Sequence, residues 1–280
     1  MATPTRGAPR RSRLPHSTVA SLRRYLTFQF QGNHWARRFL LGSALVFVSY
    51  VIPVLPLIFV NGYSLRVMAA ALRGEPLNLP PWTDWGKLGL DGLRLLMIGV
   101  VYTLPGIAVI LVGLALHAGL TFLVPPVAAN ITLTRDLPGF VMVGLSFAGG
   151  LVVTIITALI GLVLILAGTG VLPAATAHFV ATDRLTAAFH IREWWPMVRS
   201  NKMGYLTAWV IALAMAVGVT VGLNLGYYAV FLCCLIPIVG SPLSFYTMLI
   251  SAAIFGDTYR EGIANRRAAP TATDSAEVAR

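Results

Sequence analysis

The sequence predicts an all-α fold: a polytopic membrane helix bundle of about six transmembrane helices, with amphipathic helices lying at the interface beside it. Three observations carry that prediction. The chain is 57% hydrophobic and only 11% charged, with a mean hydropathy of +0.77, too much apolar surface for a soluble core of 280 residues to hide. Two stretches lack Lys, Arg, Asp and Glu altogether: 46 residues from Leu137 to Thr182 and 54 from Met203 to Gly256. One crossing of the hydrocarbon layer takes ~20 apolar residues, and inside it every amide must be bonded within its own segment, so such runs are helices. The surplus cations, finally, sit in short segments flanking the apolar runs, which is the positive-inside pattern.

In chain order, Met1 to Thr18 is rich in Arg, Pro, Ala and Thr, has nothing to bury, and reads as a disordered basic tail. Residues 19–263 form one integral membrane domain, and 264–280 a second disordered tail. Val19, Leu22, Tyr25 and Leu26 recur at helical spacing beside Arg23 and Arg24, as in an interfacial helix leading to Trp35. Phe39 to Val60 is long enough for one span, but Arg37 and Arg38 precede it and Arg66 and Arg73 follow. A hairpin bent at Pro53 to Pro56, with a short second helix running to Leu72, returns both basic ends to one side.

Gly74 to Gly92 is a proline-rich connection whose Trp82 and Trp85 suit the headgroup layer. Leu95 to Leu116 is a span kinked at Pro105, and Ala118 to Asp136 an external loop. Phe140 to Gly168 reads as one long helix that continues after Pro173, in preference to two spans broken at Gly149-Gly150. Asp183 to Lys202, with Trp194 and Trp195, is an interfacial helix ending at Pro196. Met203 to Gly256 is a hairpin turning at Pro237 to Pro242. Arg260, Arg266 and Arg267 then put the C-terminus on the basic, cytoplasmic side with the N-terminus, so the expected location is the plasma membrane with both termini inside.

Ile52-Pro53-Val54 followed by Tyr63 and Gly74 echoes Ile236-Pro237-Ile238 followed by Tyr246 and Gly256. Phe28 and Phe30 before Trp35 echo Phe189 and Ile191 before Trp195. An internal duplication of an amphipathic-helix-plus-hairpin unit is the reading, with spacings that drift by a residue or two.

The net charge of +11 does not signal nucleic acid, because the excess is topogenic and no zinc-finger or RRM signature is present. Almost all the cations are Arg, with Lys only at 87 and 202, as a GC-rich bacterial genome would give. Cys233 and Cys234 are adjacent in an apolar run, so neither a metal site nor a structural disulfide follows. Arg23-Arg24 and Arg37-Arg38 faintly resemble twin-arginine export signals, but the apolar run behind them is too long and lacks a small-residue cleavage site.

An ionisable group within a span is a functional hypothesis by default. Arg66 is the most unusual. It lies eight residues before Gly74, ~12 Å along the helix, with its side chain tilted back toward the membrane centre. Tyr63, Arg66 and Arg73 share a stripe expected to face the Asp84 and Asp91 segment, either as a structural ion pair or as a lipid or ligand anion site. Trp82, Trp85, Arg192 and Trp195 join them as candidate structural or lipid-contact residues. Ala214, Gly218, Gly222 and Gly226 form a small-residue ridge at every fourth position, expected to pack within the chain rather than serve self-association. Asn224 lies on another face, and His117 and His178 are lone imidazoles near span ends, read as packed or interfacial.

Gly62-Tyr63-Ser64-Leu65-Arg66, Leu79-Pro80-Pro81-Trp82-Thr83-Asp84-Trp85-Gly86 and Asp91-Gly92-Leu93 resemble motifs of the DUF4013 family of multi-pass bacterial and archaeal membrane proteins. Pro173-Ala174-Ala175, Ala187-Ala188-Phe189 and Phe245-Tyr246 through Gly256-Asp257-Thr258-Tyr259-Arg260 are similar to its C-terminal half. The resemblance spans roughly Phe28 to Arg260. Pro81 departs from it, standing where an acidic residue is expected before the Trp. The resemblance implies a fold and a location but no chemistry.

No Ser/His/Asp set, His-Glu-x-x-His helix, Walker loop or CxxC is present, so no enzyme and no cofactor is expected. The absence of buried carboxylates argues against an ion-coupled pump. The preferred function is a non-enzymatic membrane scaffold or accessory protein; the alternative is a transporter or channel for a small or lipidic substrate. The expected partners are the lipid bilayer, with anionic lipids at the basic face, and either a second copy or another membrane protein.

Overall fold

The structure, a computed structural model, describes residues 18–128, 138–228 and 236–268. Its elements are α1 (Thr18–Thr27), a 3-10 turn (Phe28–Phe30), α2 (Trp35–Val48), α3 (Leu55–Arg73), α4 (Trp85–Ala128), α5 (Gly139–Thr182), a second 3-10 turn (Leu185–Phe189), α6 (Ile191–Ser200), α7 (Lys202–Tyr228) and α8 (Ile236–Ala268). No strand occurs among the described residues. The all-α membrane fold is as the sequence predicts, and five helices are long and apolar enough to cross a bilayer: α3, α4, α5, α7 through Gly226, and α8. The sixth expected span is α2, which at 14 residues covers only ~21 Å. The expected tails lie largely outside the described residues, as do Cys233 and Cys234.

The bend expected at Pro53 to Pro56 separates α2 from α3, and the chemistry suits an apolar surround. The amides of Ser49, Tyr50, Val51 and Ile52 all bond back to carbonyls of Leu45 to Val48. Pro53 and Pro56 bring no N–H to the turn, so lipid would face few unmet donors. Both helices pack on α8 in opposite directions. Along α2 and the turn after it, Gly42 meets Phe245 and Tyr50 comes near Gly240; along α3, Tyr63 meets Phe245 and Gly256 lies against Met68. The hairpin is therefore folded back on itself. The order of a short amphipathic helix followed by two helices recurs, α1–α2–α3 and then α6–α7–α8, as the sequence echo predicts.

Four sequence boundaries need correction. α4 does not stop near Leu116 but runs to Ala128, carrying Pro105, Pro125 and Pro126 inside it. The expected external loop is thus half helix, and its remaining part, including Asn130, Arg135 and Asp136, is outside the described residues. Pro237 and Pro242 do not form the last hairpin's turn. They lie within α8, Pro237 in the first turn, where a proline gives up no hydrogen bond, and Pro242 further in, where it gives up one; residues 229–235 between α7 and α8 are outside the described residues. α6 passes through Pro196 to Ser200, and α8 continues past Ala264 to Ala268. The single-helix reading of 140–182 holds, with Gly149, Gly150 and Pro173 all inside α5.

The core is a knot around α3 and α8. Val60, Tyr63, Val67, Leu88, Ile98, Ala175, Phe245, Leu249, Ile250 and Ala253 are buried together. Glycines allow the backbones to meet: a Cβ on Gly62 would fall 2.0 Å from the Leu88 carbonyl oxygen, and one on Gly92 1.7 Å from that of Ile58. α4 and α5, each of 44 residues, or ~66 Å, form a long antiparallel hairpin. Gly106 faces Gly161, Gly113 faces Thr157 and Gly150 faces His117 along it. Only the part of this hairpin near its open end joins the core.

Candidate functional site

The residues singled out around Arg66 do come together. Tyr63 is fully buried on α3, donates its hydroxyl to the Pro80 carbonyl at 2.7 Å and stacks on Trp82 with ring centroids 4.1 Å apart. The Trp82 indole N–H donates to the Arg38 carbonyl at 2.8 Å, and the Arg38 guanidinium in turn donates to the Leu79 carbonyl. Trp85 stacks on Trp82 and meets Phe59 edge-on. Trp82 thus organises the 74–84 connection, while Trp85 keeps an exposed edge.

Arg66 faces this connection as expected, but its partner differs. Its guanidinium donates to three main-chain oxygens, those of Thr83 at 2.7 Å, Asp84 at 3.2 Å and Pro81 at 3.3 Å, and pairs with no carboxylate among the described residues. Asp91 pairs instead with Arg94 at 3.2 Å, and Arg73 with Glu75. The reason is local. Asp84 takes a left-handed φ of 56° and its carboxylate turns to the Lys87 amide at the start of α4, so the connection offers Arg66 its carbonyls and not its acids. A planar fork with five donors suits that array.

Around this clamp lies a cavity of about 800 Å³ whose lining includes Arg38, Arg66, Arg73 and Lys87 on the cationic side and Glu75, Asp84, Asp91 and Asp183 on the anionic side. Four charges of each sign leave little net field to draw an anion. The Glu75 carboxyl is held below the usual carboxylate range by its hydrogen bond from Arg73.

Two further clusters had little sequence signal. Asp257, 3% exposed, accepts the Tyr25 hydroxyl at 2.8 Å and faces Arg260 at 2.8 Å and Arg24 at 3.9 Å. Burial, followed by the Asp257 charge, pushes the Tyr25 phenol up, which fixes it as a donor. The Arg260 guanidinium lies over Gly74, where a Cβ would meet it at 2.3 Å; Gly74 ends α3 in the left-handed region at φ 71°. A cation at a helix C-terminus is favourably placed against the dipole. The amphipathic segment α1 is thereby tied to α8, with a second tie from the Tyr246 hydroxyl to the Leu26 carbonyl at 2.9 Å.

The other cluster joins α5, α6 and α8. His178 Nδ1 lies 2.8 Å from the Tyr259 hydroxyl and Nε2 3.2 Å from the Glu193 carboxylate, with Arg184 3.9 Å beyond. The Glu193 carboxyl is held below its ordinary range, first by the hydrogen bond from His178, which outweighs the opposing desolvation, with the charges of His190, His178 and Arg184 adding smaller contributions. An ionised Glu193 accepts from Nε2–H, and the Tyr259 hydroxyl shares the hydrogen bond at Nδ1. His178 is therefore a tie between three elements, not a lone packed imidazole. The available signal was the cluster Gly256-Asp257-Thr258-Tyr259-Arg260, where polar groups reappear at the end of a charge-free run.

The remaining expected residues do not join these clusters. Arg192 and Trp195 are exposed on α6. The ridge of Ala214, Gly218, Gly222 and Gly226 does not pack within the described residues: Gly218 and Gly222 have nothing within 4 Å, and only Gly226 approaches Ile236. Ala208, which is buried, with Ile211, Ala212 and Met215, which are partly buried, supply the stripe of α7 that packs on the core instead.

No curated protein and no solved structure matches the chain. A family model described as "Protein of unknown function (DUF4013)" matches residues 45–227, from the end of α2 through nearly all of α7. It takes in the Tyr63, Trp82 and Asp91 motifs and the second 3-10 turn, and stops before Phe245 to Arg260. With nearly two thirds of its length matched, the chain belongs to the DUF4013 family.

Proposed function

We propose that this integral membrane protein is a non-enzymatic scaffold or accessory protein whose outer helix faces receive another membrane component. The observation that carries the reading is the contrast between an interlocked centre and two outlying arms. Tyr63, Val67, Leu88, Ile98, Leu249 and Ala253 fill the axis between α3, α4 and α8, and Gly62, Gly92 and Gly256 bring backbones into contact there. By contrast the most apolar windows of α4, α5 and α7 are only 11%, 11% and 6% buried within the chain. Faces that the chain itself leaves uncovered are what a scaffold offers.

The second reading, a transporter or channel, draws on the repeated order α1–α2–α3 and α6–α7–α8, since internal repeats recur in transporter folds. A filled axis weighs against it. In this reading the cytoplasm holds the basic rim and both termini, and the α4–α5 tip is external. Single cysteines at Asn130 and Thr271, in a background without Cys233 and Cys234, are expected to label oppositely with an impermeant thiol reagent. Proteoliposomes loaded with a small dye or a labelled lipid are expected to leak or scramble no faster than empty vesicles, while a photo-crosslinker at Gly218 gives a discrete protein adduct in native membranes. Saturable, protein-dependent flux would overturn the scaffold reading.

A further inference from the structure

A second cavity, of about 700 Å³, opens where α5, α6 and α7 meet. Its walls divide by chemistry along one direction. At one end stand Arg199, in the last turn of α6, and Lys202, the first residue of α7; further along α7 are Leu206 and Trp209, facing Gly170 of α5, and Trp195 of α6 also lines it. Lys202 is also where charge stops, because the next 54 residues carry none. The cationic end therefore coincides with the start of an apolar span, and the apolar end lies seven residues, ~10 Å, further along it.

The hydrogen-bonding inventory points the same way. Among the described residues Arg199 and Lys202 have no ion pair and no hydrogen bond, and the indole N–H groups of Trp195 and Trp209 have no acceptor. No carboxylate lines the cavity. Every unused polar group in it is a donor. The Tyr205 hydroxyl is already committed to the Gly170 carbonyl at 2.6 Å, which holds α5 and α7 together at the back of the groove. Gly170 leaves the space in front of Trp209 open, with the indole nitrogen 3.5 Å from where a Cβ would stand. The first cavity, with equal numbers of acids and bases, has no such imbalance.

We infer that this groove binds one anionic phospholipid, its phosphodiester held by Arg199 and Lys202 and one acyl chain lying along Leu206 and Trp209. A donor-only, cation-bearing mouth complements phosphate and ester oxygens, and an apolar wall running from that mouth into the span complements the chain that follows them. The site stands independently of whether the protein scaffolds a partner.

The test is native mass spectrometry of the full-length protein in a mild detergent, titrated with phosphatidylglycerol or with phosphatidylcholine of the same chains. One phosphatidylglycerol is expected to be retained in preference to phosphatidylcholine. The Arg199→Gln/Lys202→Gln double variant is expected to lose about 30-fold in phosphatidylglycerol retention, about fivefold per cation removed, and to fall to the phosphatidylcholine level. Arg267→Gln, exposed in the last turn of α8 and outside the groove, leaves retention unchanged. Trp209→Ala weakens both lipids. Should the double variant melt early, Arg199→Lys/Lys202→Arg keeps the charge and must keep the lipid. Equal retention of the two lipids by the unaltered protein overturns the inference, as does undiminished phosphatidylglycerol on a folded double variant. Saturable binding of inorganic phosphate without any lipid preference overturns it too, since the site would then take a free anion.

Discussion

Gly92→Ala and Gly99→Ala, one substitution made twice on α4, should change stability in opposite directions. A Cβ at Gly92 would fall 1.7 Å from the Ile58 carbonyl oxygen and 2.9 Å from the Gly62 nitrogen, both main-chain atoms that no side-chain rotation can move. Ordinary contact begins near 3.4 Å, so α3 and α4 must part by about 1.7 Å. That displacement is enough to break the 2.7 Å bond from Arg66 to the Thr83 carbonyl at the head of α4. Overpacking a filled interface costs about 1–3 kcal/mol, and here the obstacle is backbone, so the upper end applies, about 3 kcal/mol. Converted at roughly 2–4 °C per kcal/mol, the melting temperature falls by about 6–12 °C.

At Gly99, one turn and three residues further along, a Cβ meets nothing within 4 Å. Replacing a helical glycine by alanine there gains up to about 1 kcal/mol from backbone entropy. The assay is thermal unfolding of both purified variants in one detergent, followed by the fraction remaining monodisperse. Equal shifts of the same sign would refute the close α3–α4 packing on which the core description rests.

Other perturbations separate the clusters. Arg66→Gln removes three charge-assisted hydrogen bonds to exposed carbonyls that water can take over and should cost about 1 kcal/mol, whereas Asp91→Asn, which loses only the single pair with Arg94, should cost well under 1 kcal/mol; thermal melts of both variants compare them. Tyr25→Phe removes the donor to buried Asp257, and hydrogen exchange in α1 should rise while the centre of α8 stays protected. Glu193 has a folded-state pKa below its usual value of 4.5, so its contribution is present above that pH and is lost as pH falls through the lower folded value. Unfolding measured from pH 6 to the acid limit should show a steeper decline in the unaltered protein than in Glu193→Gln, and identical slopes would remove Glu193 from the α5–α6–α8 tie.

The fold class was legible because hydrocarbon imposes one rule on every residue: a long run without charge must be helix, and basic residues must flank it. The Pro53–Pro56 bend followed from where Arg37, Arg38, Arg66 and Arg73 stand. Prolines were a weaker guide where helix was already forced. Pro125, Pro126 and Pro242 read as breaks, yet they sit inside α4 and α8, where burial in an apolar surround makes leaving the helix more costly than one missing bond. The clamp on Arg66 was half legible: its direction came from helical geometry, but main-chain carbonyls leave no mark in a list of side chains. The tie of His178 to Glu193 and Tyr259 joins residues 15 and 81 apart in sequence, and nothing local to any of them announces the other two.

The length of the α4–α5 hairpin has a mechanical consequence for the surrounding membrane. From Leu95 to Ala128, α4 is free of charge over 34 residues, ~51 Å, against a hydrocarbon thickness of ~30 Å. Tilt alone would need an angle of about 54°, beyond the range of about 0–40° that spanning helices adopt. The excess apolar length must be taken up by bending at Pro105, by laying the outer arm along the interface, or by thickening the bilayer around it. Each response couples the hairpin to membrane thickness, so the protein's free energy differs between thin and thick bilayers and it is drawn to the thicker one. A pair of arms this long is in effect a gauge of the layer it inhabits, and lateral sorting by thickness follows from its geometry without any recognition of a particular partner.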